Sequence, residues 1–148
     1  MSSPVLIRLL DPPDIPAVLE VQSASPDASQ WSAADYARIS DPSFHCLVVL
    51  SGGVLCGFLI SRLAADELEI LNLAVLPTHR RLGIASQLLT AALTQARSRA
   101  AIICFLEVRH TNSAAISFYA HHGFSQTGRR AAYYSNPPAD ALLLSRPF

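Results

Sequence analysis

The chain is 148 residues long, 51% hydrophobic and 15% charged, with 11 basic and 11 acidic residues and a formal net charge of zero. That length suits one domain, residues 1–148, with a real core; the apolar share excludes a disordered chain, and the neutral balance argues against a general nucleic-acid binder. Every basic residue is arginine, so a Walker-type phosphate lysine and Schiff-base chemistry are both excluded.

Residues 5–10 read as a first strand. Asp11-Pro12-Pro13 reads as a helix start, with a capping aspartate and proline at the first helical position, and Ile15, Val18 and Leu19 follow at helical spacing. Residues 25–30 are loop. Ser32 opens a second short helix with Asp35 three residues on, a capping-box spacing, and Tyr36 and Ile39 form its apolar edge. Residues 45–50 and 54–62 are two strands joined at Ser51-Gly52-Gly53, a hairpin signal. Residues 67–75 make the third strand of this meander.

A helix over 84–98 follows, with Ile84, Leu88, Leu89, Ala92 and Ala96 on one face, and then a strand over 102–108. Asn112 caps a helix that runs through Tyr119 and ends at Gly123, a glycine placed to close it. Residues 124–130 and 141–144 are the last strands, separated by the turn Ser135-Asn136-Pro137-Pro138. The passage from strand 67–75 through helix 84–98 to strand 102–108 is a crossover, which makes those two strands parallel and the sheet mixed.

The segment over 71–89 carries the first functional signal. An apolar strand ends at Pro77, a basic turn follows, Thr78-His79-Arg80-Arg81-Leu82-Gly83, and a helix begins at Ile84. Main-chain N–H groups at a helix start lack internal partners and sit at the positive end of the dipole, so this is a place to bind phosphate. Gly83 lets a pyrophosphate approach the backbone, and Arg80 and Arg81 add charge-assisted hydrogen bonds. The turn lacks the glycine patterns of dinucleotide folds and P-loops, and an ordinary strand-to-helix turn with solvated arginines has the same appearance.

Glu107 lies in an apolar strand on one face with Phe105 and Arg109. It is either a base or half of a surface pair with Arg109. Tyr119, twelve positions on, is either a proton donor or a packing tyrosine. Glu67 and Glu69 alternate on the strand that leads into this region. They either draw in a cationic group or form a solvated face.

Taken together, Asn72-Leu73-Ala74-Val75-Leu76-Pro77 followed by Arg80-Arg81-Leu82-Gly83-Ile84-Ala85 resembles the acetyl-CoA-binding motif of the GNAT superfamily of N-acetyltransferases. Phe105-Leu106-Glu107-Val108-Arg109, Asn112-Ser113-Ala114-Ala115-Ile116, Tyr119 and Gly123-Phe124 extend the likeness toward the ribosomal-protein-alanine N-acetyltransferase branch. So do Trp31-Ser32, Arg129-Arg130, Tyr133-Tyr134 and Asp140-Ala141. Two departures stand out: Gln30 replaces the usual proline before Trp-Ser, and the tail after Tyr134 is short and carries Pro137-Pro138.

The resemblance implies an α/β (α+β) fold: a mixed sheet of about seven strands, a parallel pair splayed at the acetyl-CoA site, and about four flanking helices. It implies Glu107 as general base and Tyr119 as general acid. It implies cofactor contacts from the backbone of Leu73, Ala74 and Val75, from the turn Arg80, Arg81, Leu82, Gly83, Ile84, Ala85 and Ser86, and from Asn112. The chemistry explains the need for a base: an α-amine with a pKa of about 8 is mostly protonated at pH 7, and only the neutral form attacks. The implied acceptor is a protein N-terminus, a ribosomal protein beginning with alanine. The alternatives are a small amine, a lysine side chain, or a non-catalytic acyl-CoA-binding module.

The three cysteines, Cys46, Cys56 and Cys104, sit singly in apolar runs, and the first residues lack a secretory pattern. Both features suggest a reducing, cytoplasmic setting. No histidine spacing suits a metal, no run suits a membrane helix, and monomer and dimer are both compatible with the composition.

Overall fold

In a computed structural model, which describes residues 4–80 and 82–148, the chain forms seven strands and four α-helices. In chain order these are β1 (Val5–Leu9), α1 (Ile15–Ser23), α2 (Ala33–Tyr36), β2 (Phe44–Ser51), β3 (Val54–Ala64) and β4 (Glu67–Val75). Then come α3 (Ile84–Ser98), β5 (Ile103–Arg109), α4 (Ser113–His121), β6 (Ser125–Tyr134) and β7 (Ala139–Pro147). The strands make one sheet in the order β1-β2-β3-β4-β5-β7-β6, with β4 and β5 parallel and the other neighbours antiparallel. This is the α+β arrangement expected.

Two apolar layers cover the sheet. On one face Ile84, Leu88, Leu89, Ala92, Leu93 and Ala96 of α3 pack on buried side chains of β2 to β5 and β7. On the other, Val18 and Val21 of α1 and Tyr36 of α2 pack on Val48, Phe58 and Ile60. The two layers leave the second face of β5, β7 and β6 without a helix, so Phe105, Glu107 and Arg109 lie there half-exposed while Cys104, Leu106 and Val108 are buried against the first layer. The three cysteines are buried free thiols, and burial pushes Cys46 to about 11 and Cys104 to about 12, which keeps them unreactive.

β4 changes phase along its length. Leu68 and Ile70 face α3, but beyond them Leu73 and Val75 do, so the parity switches. The cause is a bulge: Ser61 pairs with Ile70 and Ile60 with Asn72, which leaves Leu71 without a partner on β3. A bulge increases the local twist and turns later side chains to the opposite face. The parallel pairing of β4 with β5 ends just before it, at Glu69–Phe105. The two strands then diverge.

The bulge also delivers Asn72 to the α1 side, where it is buried. Its side chain donates to the Ser29 carbonyl at 2.9 Å and accepts from the Ser29 N–H at 3.1 Å. Gln22 accepts from the Tyr36 hydroxyl at 2.5 Å and donates to the Trp31 carbonyl at 2.7 Å. Gln30, the residue in place of proline, donates to the carbonyls of Ser25 at 3.2 Å and Ala28 at 3.0 Å. The loop over 24–31 is thereby held from inside by three amide side chains.

Several boundaries differ from expectation for local reasons. The segment after Asp11 starts as a 3-10 turn, Pro12–Asp14, and α1 begins only at Ile15. Two prolines supply no N–H, and the turn closes through the Asp14 N–H to the Asp11 carbonyl at 2.8 Å. Asp14 rather than Asp11 is the polar anchor, taking the Arg8 guanidinium at 2.7 and 2.9 Å. The α2 capping box forms as expected, with Asp35 N–H on Ser32 Oγ at 3.1 Å and Ser32 N–H on Asp35 Oδ2 at 2.8 Å. β6 and β7 run longer than expected: β6 is mostly exposed and carries no apolar alternation, whereas β7 is mostly buried and extends as far as β5 and β6 pair with it. Its last part bulges at Ala132, where φ is +51°, and Asp140 holds that bulge through the Ala132 N–H at 2.8 Å and Arg129 Nε at 2.6 Å.

Asn72→Ala removes the two hydrogen bonds to Ser29, each worth about 0.5–1.5 kcal/mol net, and so lowers stability by about 1–3 kcal/mol. Chemical denaturation checks this: the midpoint falls, and an unchanged midpoint shows that the loop is held without Asn72.

Candidate active site

Beyond Glu69–Phe105 the main chain of β4 faces a gap. The Leu76 N–H donates to the Cys56 carbonyl at 2.8 Å, so two-residue alternation turns Ala74 toward β3 and turns Leu73 and Val75 away from it. Of the three backbone contacts expected, the main chain of Leu73 and the N–H of Val75 are therefore open to the gap, the Val75 carbonyl is taken by Arg80, and Ala74 is engaged in the sheet. A cleft of about 300 Å³ fills this place, walled by Leu73, Val75, Ala85, Ala115, Phe118 and Tyr119.

The first turn of α3 closes one end. Gly83 is its N-cap, with φ at +75° and no capping side chain. A left-handed conformation is what makes glycine necessary here, and a Cβ at Gly83 meets nothing within 4 Å. The space over the helix start is open, and the N–H groups of Ile84, Ala85 and Ser86 have no intrahelical acceptor. An uncapped helix start beside a gap with free main-chain groups suits an anion on an extended, amide-bearing arm.

The side chains around this cradle are employed differently from expectation. Arg80 folds back: Nε donates to the Val75 carbonyl at 3.2 Å and Nη2 to Ser25 Oγ at 3.3 Å. It ties the turn to the end of β4 and to the 24–31 loop. Ser86 Oγ lies 2.9 Å from Nε2 of His122, so its main chain rather than its hydroxyl faces the open end. Leu82 is exposed. Arg81 lies outside the described residues.

Asn112 is a helix cap, as expected. Its side chain accepts from the Ala115 N–H at 3.1 Å, which caps α4, and it lines the cleft. Past Asn112 the cleft narrows between residues 71–73 and 106–108, where Glu107 and Tyr119 line the same passage. The structure thus brings together the two residues twelve positions apart. Tyr119 is 6% exposed, and burial raises its hydroxyl above the usual tyrosine range, so it carries its proton.

On the far side the passage opens into a wider polar cleft of about 580 Å³, bordered by Glu107, Arg109, Tyr134 and the loop over 26–30. The Glu107 side chain is 17% exposed, and its ion-pair partner is Arg130 on β6, with Nη2 at 3.2 Å from Oε1. It is not Arg109, which donates to the Pro137 carbonyl at 2.6 Å and sits over the Tyr134 ring at 4.6 Å. Burial, and next the charge of Glu107, push the Tyr134 hydroxyl up.

Sequence reasoning did not find Ser25, Asp27 or Ala28, which line the cleft from the loop, or Phe118. Nothing in the order of residues places a loop 43 positions upstream against β4; the signal available was Asn72, a polar residue in an apolar strand. Among the described residues no cluster of His, Cys, Asp or Glu suits a metal ion, and no helix is long and apolar enough to cross a membrane.

Comparison with known proteins agrees with this geometry. Residues 10–124 match the Acetyltransferase (GNAT) family. The chain is 28% identical over 143 residues to a [ribosomal protein bS18]-alanine N-acetyltransferase of Escherichia coli K12, covering 95% of this chain and 96% of that one. It is 36% identical over 121 residues to an N-alpha-acetyltransferase RimI of Mycobacterium tuberculosis, covering 78% and 75%. Its fold superposes on the crystal structure of the ribosomal-protein-S18-alanine N-acetyltransferase from Escherichia coli with a TM-score of 0.88 at 27% identity, over 97% of this chain and 94% of that one. A parted parallel strand pair, an uncapped helix start and a full-length match to such enzymes lead to one conclusion: the chain belongs to the GNAT family of acetyl-CoA-dependent N-acetyltransferases.

Proposed function

We propose that the chain acetylates the α-amine at a protein N-terminus, that of a ribosomal protein beginning with alanine, in the cytoplasm. The observation that carries this reading is the passage lined by Glu107 and Tyr119, with an anion seat at one end and a polar cleft at the other. The names of the relatives from Escherichia coli and Mycobacterium tuberculosis support the choice of an N-terminal acceptor. An open polar cleft, bordered by a loop and a hairpin strand, suits the end of a chain.

The donor end belongs to the cofactor. The N–H groups over 84–86 and Gly83 take the pyrophosphate, and the main chain of Leu73 takes the amide-bearing arm. Bound there, acetyl-CoA supplies an acetyl thioester. Asn112 borders the arm while it caps α4, and Arg80 holds the turn in place through Val75 and Ser25.

The acceptor amine enters from the polar cleft as an ammonium, since its pKa of about 8 leaves most of it charged at pH 7. Glu107 accepts its proton, directly or through one water, and the neutral amine attacks. The N–H of Val75 turns to the gap and is placed to donate to the oxygen on which negative charge develops. The Tyr119 hydroxyl holds a proton for the departing thiolate.

A library of peptides incubated with acetyl-CoA and read by mass spectrometry tests the acceptor: acetyl groups appear on the N-termini of Ala-starting peptides. Acetylation confined to lysine side chains, or CoA binding without turnover on any peptide, rejects the reading.

Glu107→Gln lowers kcat at neutral pH about 10²- to 10⁴-fold, the usual size of a lost general base, with the acetyl-CoA Kd unchanged by calorimetry. Wild-type turnover in this variant removes Glu107 from the role of base.

Tyr119→Phe slows kcat by about the same order, with little change in Tm, because only a hydroxyl is lost. Since burial keeps the Tyr119 proton on above the usual range, kcat of the wild type shows no loss from this group up to about pH 10, where an exposed tyrosine ionises. A basic limb near pH 8 that disappears in Tyr119→Phe contradicts that assignment.

A further inference from the structure

The acceptor side of the site already contains a cation. Arg130 Nη2 lies 3.2 Å from Glu107 Oε1 on the sheet face that no helix covers. Glu69 stands on the same face: it pairs with Phe105, and Glu107 is the next residue of β5 on that side. Glu67, two residues earlier, is exposed, whereas Glu69 is half-buried. Burial raises the Glu69 carboxyl above its usual range and the charge of Glu107 raises it further, while the guanidiniums of Arg62 and Arg130 act the other way. Of these two carboxylates, one from each of the parted strands, Glu107 is the one ion-paired to Arg130, while Glu69 feels its charge from farther away. An ammonium that must reach Glu107 needs the same place.

We propose that Arg130 is a placeholder for the acceptor's ammonium: its guanidinium holds the Glu107 carboxylate until a cationic amine exchanges with it. This rests on the reading of Glu107 as the base. The arginine is built to leave. Its side chain is 60% exposed, and in the same position its guanidinium carbon lies 5.4 Å from the Tyr133 ring, a contact that does not depend on Glu107. The backbone beneath stays put, because Asp140 clamps the bulge at Ala132 and holds Arg129. Arg109 is not free to substitute, being tied to the Pro137 carbonyl. The exchange keeps the half-buried Glu107 paired at every stage and selects acceptors that arrive charged, since a neutral amine cannot replace the guanidinium. Arg130 is on this account a specificity-determining residue.

Arg130→Gln removes the competing cation. Steady-state kinetics on the most rapidly acetylated peptide of the library shows the acceptor KM falling about two- to fivefold, the size that an exposed ion pair commands. Arg130→Lys, which keeps the charge, holds KM near the wild-type value. An acceptor KM unchanged or raised in Arg130→Gln overturns the proposal. The Glu107→Gln variant separates the two layers of argument. If it turns over at the wild-type rate, the base assignment fails and the placeholder with it. If it is slow while Arg130→Gln leaves KM in place, the placeholder alone fails.

Discussion

Main-chain N–H and C=O groups inside a protein must find partners, and a central strand pair normally supplies them. In this chain β4 and β5 share three paired positions and then part. Everything else about the site follows from that parting. Leu73 and Val75 turn main-chain groups into a gap instead of a ladder, α3 starts at one end of it, and α4 closes the opposite wall with Asn112 and Tyr119. The parting has a local cause in the unpaired Leu71, whose bulge twists β4 and reverses the faces of the residues beyond.

The bulge also links the two halves of the site. By turning Asn72 to the α1 side it gives the loop over 24–31 a partner that imitates a strand, one donor and one acceptor on Ser29. Arg80 ties the same loop, at Ser25, to the cofactor turn. The loop that borders the acceptor cleft is thus braced from the cofactor side. Gln30 reaches the loop carbonyls with its amide, a role for which proline has no donor.

Charge is divided along the passage. The donor end relies on main-chain dipoles and a left-handed glycine, and its nearest side chains, Arg80 and Ser86, are bonded within the protein. The acceptor end relies on formal charges: Glu69, Glu107, Arg109 and Arg130 on a face without a helix above it. Tyr119 lies between them, buried, with its proton held.

Much of this was legible in the order of residues. The periodicity of residues 84–98, the capping residues Ser32, Asp35 and Asn112, and the glycines at 52, 53 and 83 are local signals, because helix and turn geometry involve neighbours a few positions apart. The match of Glu107 and Tyr119 to a known motif singles out two residues that line one passage in the fold. The ends of β6 were not legible, since an exposed strand lacks the alternation that marks a half-buried one, and those of β7 were not because pairing with β5 and β6 carries it past its apolar run. Nor was the partner of Glu107. Arg109 is nearest in sequence on the same face, but cross-strand pairing through β7 brings Arg130 instead. The sequence by itself determined the main elements, the family and the choice of Glu107 and Tyr119 as the proposed reacting pair. The parity switch at Leu71, the bracing of the loop by Asn72 and Arg80, and the charge that faces Glu107 were decided by tertiary structure, because each depends on register between strands or on contacts across more than twenty residues.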